Sequence, residues 1–263
     1  MGIITLTTDF GLRDNFVGVM KGVIYRLNPE ARLIDITHQI PAHDIAGAGF
    51  CLFTAYRYFP PQTVHLAVVD PGVGSGRNML AVRAGDHVFV TPDNGLLSLI
   101  LDHEPDHEAY CLTNRDLFLD QPSRTFHGRD IMSPVAAHLS AGLSLNQVGP
   151  KVDQVVRHSL PRPRFQKSSI SGTIVYVDGF GNLITNIPGD RIPASEGSRA
   201  VIQAGPVIIT GLSDAYSDVD PGAYLAIKGS AGFLEIARNM APAERPPDLS
   251  VGIPVDVTWE YSP

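Results

Sequence analysis

The chain is poor in cysteine, in long apolar runs and in basic clusters, and each shortage excludes a class of protein. Two cysteines, Cys51 and Cys111, stand alone in 263 residues. A disulfide scaffold or a cysteine-rich zinc site needs more, so the expectation is two buried thiols in a reducing cytoplasm. No apolar run approaches the roughly 20 residues that span a bilayer. Met1-Gly2-Ile3-Ile4-Thr5-Leu6 lacks the basic n-region of a signal peptide, and Leu6 stands where a myristoylation motif needs Ser or Thr. The formal net charge is −7 with no Lys/Arg run, which disfavours nucleic acid and anionic membrane as partners. Internal repeats and low-complexity tracts are also missing. The expectation is a soluble, cytoplasmic protein.

Hydrophobic residues make up 44%, enough to build one large α/β domain or two ordinary ones. Ile3 to Thr7 reads as a buried strand. Phe16, Val19, Met20, Val23, Ile24 and Leu27 then recur at helical spacing, and Asn28-Pro29 stops the helix. Arg32 to Ile36 is a second strand, Ile45 to Tyr58 a second helix, and Val64 to Val69 a third strand. That β-α-β-α-β order implies a parallel sheet with helices on its faces. Met79 to Arg83 and His87 to Thr91 read as strands joined by Gly85-Asp86, Leu96 to Leu101 as the start of a short helix, and Ile131 to Leu139 as the last helix. The Pro- and Arg-rich stretch Ser159 to Arg164 marks a boundary between an N-terminal α/β domain, residues 1–160, and a C-terminal domain, residues 167–263. In the second domain, short β-type runs at Ile170–Val177, Leu183–Ile187, Ala200–Ile202, Val207–Ile209, Leu225–Ile227 and Val255–Trp259 are split by Gly, Pro and Asp. The fold expected is thus a Rossmann-like parallel-sheet domain followed by a small antiparallel β-barrel or sandwich.

In an open parallel sheet, ligands bind beyond the carboxyl ends of the strands. Three of the strands above end in acidic or glycine-rich turns: Thr8-Asp9-Phe10-Gly11, Asp70-Pro71-Gly72-Val73-Gly74 and Pro92-Asp93-Asn94-Gly95. Asp and Gly also make ordinary turns, so the case rests on three such turns sharing one edge. Gly72 to Gly76 is no phosphate loop, because it lacks the Gly-Lys-Ser/Thr ending and the GxGxxG spacing. A tight loop there brings Arg77 back toward Asp70, which would keep the carboxylate ionised or form a plain structural salt bridge. His127, in Thr125-Phe126-His127-Gly128-Arg129-Asp130, precedes a helix and is a candidate functional imidazole or an ordinary polar residue. His103-Glu104-Pro105-Asp106-His107 suggests a metal cluster, but Pro105 breaks the helix that would pair the histidines, and a solvated loop is expected with no metal. In the second domain Asp178, Phe180 and Asn182 offer groups suited to a ribose, a stacking ring and the edge of adenine. Ser230 to Met240 adds further polar groups, among them Glu235.

Together these segments resemble the adenosine-forming S-adenosyl-L-methionine hydrolases (SAM hydroxide adenosyltransferases), relatives of the fluorinase and chlorinase. The matching pieces are Thr8–Gly11 with Asp14 and Phe16, Val69–Gly74 with Arg77, Pro92–Gly95, Phe126–Asp130, Asp178–Asn182 with Thr185-Asn186, and Gly229–Asn239. The resemblance implies hydrolysis of S-adenosyl-L-methionine (SAM) to adenosine and L-methionine, without a cofactor, in a homotrimer whose sites lie between one subunit's N-terminal domain and its neighbour's C-terminal domain. It implies Asp70, Arg77 and His127 as the catalytic set. It also implies adenosyl contacts at Asp9, Asp178, Asn182, Ser230 and Arg238 to Met240, methionine contacts near Asp14, Asn15 and Phe16, and adenine stacking at Tyr216. The halogenating relatives differ at the Asp70 and His127 positions and carry an extra loop after the Pro92–Gly95 segment, so the chain resembles the hydrolases more. The rival readings are a SAM-dependent halogenase and a non-catalytic SAM or adenosine sensor.

Overall fold

The strand and helix periods noted above sort their residues onto two faces of one sheet. In the computed structural model, residues 2–159, 161–193, 198–245 and 249–261 are described. The chain divides into two compact units, residues 1–159 and 160–263. Leu160, inside the predicted boundary stretch, lies outside the described residues.

The first unit holds β1 (Ile3–Thr8), α1 (Phe16–Leu27), β2 (Arg32–Thr37), α2 (Ile45–Ala55), β3 (Val64–Val68), β4 (Met79–Ala84), β5 (His87–Pro92), α3 (Ser98–His103), β6 (His107–Cys111), α4 (Ser133–Ser140) and β7 (Lys151–Val152). The sheet order is β2-β1-β3-β5-β4-β6-β7. Its β2-β1-β3-β5 half is parallel; β4, β6 and β7 add antiparallel strands. Alternation along β3 decides what packs where. Leu66 and Val68 face the core under α1 and α4, while Ala67 and Val69 face that under α2 and α3. Because both faces are covered, β1 and β3 are almost wholly buried.

The periodicity of α1 ends where the structure ends it. The predicted second helix is shorter than expected: α2 stops at Ala55, and Tyr56–Tyr58 tightens to a 3-10 turn. The predicted loop around His103 to His107 is present but short, Glu104 to Asp106, since α3 reaches His103 and β6 starts at His107. Only Ala109 of β6 is buried, so its apolar pattern is too weak to announce a strand that forms by pairing with β4. The two thiols also depart from expectation. Cys51 flanks the buried face of α2 and Cys111 ends β6, so both are only half-buried, and both are free.

The second unit holds β8 (Arg164–Phe165), β9 (Ser169–Val177), β10 (Leu183–Pro188), β11 (Ser198–Ala204), β12 (Val207–Thr210), β13 (Tyr224–Lys228), β14 (Phe233–Arg238) and β15 (Pro254–Tyr261). They form a nearly closed antiparallel sheet in the order β12-β11-β15-β9-β10-β14-β13, with β8 beside β9. Strand β9 turns the corner, pairing with β15 along its first half and β10 along its second. A Cβ on Gly172 at that corner would lie 2.4 Å from Ile187 Cγ1 and from Asn186 Oδ1. The Asn186 carboxamide accepts the Thr173 N–H at 2.9 Å instead, and Thr185 Oγ1 donates to Leu234 O at 2.8 Å. The Thr185-Asn186 pair of the sequence motif therefore serves the barrel wall.

At the amino-terminal end of the parallel strands, His65 is fully buried. Its Nδ1 lies 2.8 Å from Thr5 Oγ1, its Nε2 lies 3.2 Å from His87 Nδ1, and its ring stacks on Phe89 at 5.0 Å. Burial, assisted by His87, pushes the His65 imidazole down to about 3, against about 6.5 in an unfolded chain. Between those values the unfolded chain binds the extra proton. Stability is therefore intact above pH 6.5 and falls as pH drops toward 3, by up to ~1.4 kcal/mol per pH unit. Urea midpoints measured from pH 7.5 to 4 should show this acid loss, and His65→Gln should flatten it.

Candidate active site

The carboxyl ends of β1 and β3 open onto a cavity of about 320 Å³. After β3 the chain makes two consecutive turns, with Val73 N–H donating to Asp70 O and Ser75 N–H to Gly72 O. Gly74 passes under Arg124 at φ +78°, where a Cβ would stand 2.4 Å from the Arg124 carbonyl oxygen. That passage returns Arg77 to Asp70. Arg77 Nε donates to Asp70 Oδ1 at 2.6 Å, and Arg77 Nη2 donates to Asp70 Oδ2. Both side chains are almost fully buried. Such a two-pronged pair fixes the orientation of the carboxylate.

Arg77 Nη2 also lies 3.2 Å from His127 Nδ1. A guanidinium can only donate, so Nδ1 accepts and the proton of the neutral ring sits on Nε2. Burial first, and the Arg77 charge second, hold His127 below the ordinary imidazole value, against the pull of Asp70 and Asp130. His127 stands at the head of a π-type turn, Gly128–Met132, that leads into α4. Behind it, the buried Asp130 carboxylate accepts Arg129 Nε at 2.6 Å and the Ser123 N–H at 2.8 Å, which anchors the loop carrying Phe126 and His127.

The turn after β1 is anchored in a similar way. Thr8 Oγ1 meets His38 Nδ1 at 2.8 Å and accepts the Phe10 N–H, while Gly11 N–H donates to His38 O at 2.7 Å. Asp9 Oδ2 accepts the His43 N–H at 2.9 Å. His43 has a left-handed backbone, φ +69°, of the kind that persists only where surrounding contacts hold it. Asp9, Phe16, His43, Asp70 and His127 all line the cavity, and Phe10, Phe16 and Phe126 pack against one another with centroids 5.3 to 5.7 Å apart. His43, Phe10 and Phe126 were not singled out from sequence. An isolated His says little, and a Phe in a turn reads as core. Asp14 and Asn15 are exposed and lie outside the lining. The third acidic turn is turned to structure, since Asp93 Oδ1 accepts the Val156 N–H and Asn94 Nδ2 donates to Val69 O, each at 2.8 Å.

The second unit has its own cavity of about 640 Å³, and all eight residues singled out there line it: Asp178, Phe180, Asn182, Tyr216, Ser230, Glu235, Arg238 and Met240. Asp178 is less free than its sequence context suggested. Its Oδ1 accepts the N–H groups of Phe180 and Asn182, and its Oδ2 accepts Asn182 Nδ2 at 3.0 Å. Tyr216 OH donates to Glu235 Oε1 at 2.7 Å. Burial, then that contact, pushes the Tyr216 hydroxyl up to about 12, and burial also raises Glu235. Arg238 is held by the carbonyls of Gly222 and Arg245. Phe180 and Met240 project from this surface, 83% and 86% exposed. Among the described residues, no group of three or more His, Cys, Asp or Glu side chains is placed to hold a metal ion, and no helix is long and apolar enough to cross a membrane.

Residues 4–149 match the family model of the SAM hydroxide adenosyltransferase N-terminal domain, and residues 172–256 that of the C-terminal domain. The chain is 40% identical over 242 residues to a Salinispora tropica protein named (R)-S-adenosyl-L-methionine hydrolase, with 90% of each chain covered. A fluorinase of Actinoplanes sp. is more distant, at 28% identity with 97% of each chain covered. The crystal structure of an uncharacterized conserved protein from Thermotoga maritima is similar at TM-score 0.91 and 39% identity, covering 97% of this chain and 99% of that one.

The Arg77 contact predicts a titration. In Arg77→Met the His127 imidazole loses its cationic neighbour and keeps Asp70 and Asp130, so its pKa should rise. NMR of the ring Cε1–H measures this, and an unchanged or lower value would contradict the account.

Proposed function

Since the chain belongs to the SAM hydroxide adenosyltransferase family, we propose that Asp70, Arg77 and His127 hold and activate the water with which it hydrolyses S-adenosyl-L-methionine. The protein is an enzyme, a SAM hydrolase. The observation that carries the assignment is one guanidinium shared between Asp70 and His127 at the edge of the 320 Å³ cavity.

The leaving group is a neutral thioether departing from a sulfonium, so it needs no proton and no general acid. The nucleophile is the difficulty, because hydroxide is scarce at neutral pH. In the proposed mechanism Asp70 accepts a hydrogen bond from the water with a lone pair that Arg77 leaves free. The Nε2–H of His127 donates to the water oxygen and turns its remaining lone pair to C5′. The positive charge of Arg77 stabilises the developing hydroxide. As the C5′–O bond forms and the C5′–S bond breaks, the proton passes by way of Asp70 to solvent. The products are adenosine, L-methionine and a proton. Carbon is neither oxidised nor reduced overall by an external agent, and the sulfonium is already activated, so the proposal needs no cofactor.

The adenosyl group is assigned to the 640 Å³ cavity together with Asp9, and the methionyl group to the neighbourhood of Asp14, Asn15 and Phe16. We place these half-sites opposite one another across the interfaces of a homotrimer. The apolar rim of the second cavity supports that reading. Phe180 and Met240, both in its lining, are 83% and 86% exposed, apolar surface that a neighbouring copy would cover. Two free thiols suit a reducing cytoplasm as the compartment. The Salinispora relative is named for the R configuration at sulfur, and we assign the same preference here. The fluorinase similarity supports a second reading, halide as nucleophile. The carboxylate and imidazole around Arg77 favour water instead.

Asp70→Ala, Arg77→Ala and His127→Ala should each lose at least ~10² in the rate of adenosine release, the usual scale for a positioned proton-transfer group. Unimpaired release from all three would defeat the assignment. In ¹⁸O-water the label should enter the adenosine 5′-hydroxyl, whereas a 5′-halo product made in chloride or fluoride would support the halogenase reading. Tight SAM binding without turnover of either sulfur epimer would mark a sensor. Mixing Asp70→Ala chains with Asn182→Ala chains should recover activity that neither has alone, if each site draws on two copies.

A further inference from the structure

Nothing in the handling of water requires three phenylalanines beside Asp70 and His127. We propose that Phe10, Phe16 and Phe126 form the subsite of the sulfonium centre and read its positive charge through their ring faces, so that they decide affinity and selectivity while leaving the chemical step to other groups. The inference rests on SAM being the substrate, as argued above.

A sulfonium carries its charge without an N–H. It cannot be recognised by donating hydrogen bonds, and the partners left to it are aromatic faces and carboxylates at short range. The cavity supplies both. Phe10 comes from the turn after β1, Phe16 from the first position of α1, and Phe126 from the loop before His127. Phe126 meets Phe10 and Phe16 edge to face, at 79° and 87°, and Phe10 is tilted to Phe16 at 57°, so they cannot all hide their faces in one another. Phe16 remains 41% exposed at the cavity. The fixed charges agree in sign. The charge of Asp70 is cancelled by Arg77, and His127 is kept neutral at ordinary pH. The Asp9 carboxylate accepts a backbone N–H and, among the described residues, is bridged by no cationic side chain. The cavity is thus net negative with an aromatic wall, an environment for a cation without hydrogen-bond donors. The rings are not equivalent. Arg129 lies over Phe126 at 5.1 Å and occupies one of its faces, which leaves Phe10 and Phe16 as the stronger contributors.

The sign of the kinetic effect follows from the reaction. Charge on sulfur disappears as the C5′–S bond breaks. An attraction to that charge is stronger in the ground state than in the transition state, so it lowers KM without raising kcat.

Phe10→Leu and Phe16→Leu keep apolar bulk and remove the ring face. Each should weaken SAM binding roughly 3- to 30-fold. Each should leave the affinity for a neutral isostere, with CH in place of the sulfonium, within about twofold, and Phe126→Leu should have the smallest effect. Calorimetry in a His127→Ala background, which keeps the Asp70–Arg77 pair intact, reads both ligands with turnover slowed at least ~10²-fold. In the otherwise unaltered enzyme KM should rise with kcat held or increased. Equal losses for SAM and the isostere, or a lower kcat at unchanged KM, would overturn the inference. Failure of the hydrolase reading looks different: the unaltered enzyme would make no adenosine while the preference for the charged ligand persisted.

Discussion

The pairing of Arg77 with Asp70 is the interaction on which the rest of the site depends. Both groups are nearly out of water, and each is tolerable there only because of the other. Removing one partner of such a pair strands a buried charge, typically at a cost of about 3–5 kcal/mol. The same guanidinium fixes which nitrogen of His127 carries the proton. One cation thus orients a carboxylate, selects a tautomer and lowers an imidazole pKa. The double turn from Asp70 to Arg77 exists to close that triangle, and the Asp130–Arg129 pair behind His127 holds its far corner.

Much of the fold could be read from the sequence, and the reasons are local. The period of Phe16 to Leu27 and the stop at Asn28-Pro29 are properties of one short stretch, and the observed α1 has those bounds. Strands β1 and β3 are short runs of apolar and β-branched residues, with His65 the one exception. In contrast, β6 has one buried residue, β8 has two residues in all, and β14 is interrupted by Glu235, whose burial makes sense only once Tyr216 stands beside it. These strands are defined by their partners. Their own residues do not announce them.

The site divides along the same line. Asp70 and Arg77 are seven residues apart, and the glycines between them suggest the return. His127 is fifty residues further on; its own context made it a candidate imidazole or an ordinary polar residue, and only the resemblance to the hydrolases joined it to that pair. His43 was invisible because its significance lies in a backbone N–H given to Asp9, thirty-four residues away. Phe16 came forward with the resemblance, whereas Phe10 and Phe126 were visible only as letters, because an aromatic in a turn is more often core than wall. Asp93 misled in the other direction: an acidic turn at the right edge of the sheet was committed to holding Val156.

The tie between Asp9 and His43 bears on how much disorder a ligand must remove. One oxygen of Asp9 is spent on a strained backbone, so the other is presented at a fixed angle before anything binds. His43, for its part, cannot relax to a right-handed conformation without surrendering that bond. The mouth of the cavity is therefore ordered in advance, and a small, flexible, cationic guest need lose only its own conformational freedom on entering. A carboxylate on a mobile loop would attract the same cation but would have to be frozen with it. Here that entropy is lost during folding, once, and not at every turnover.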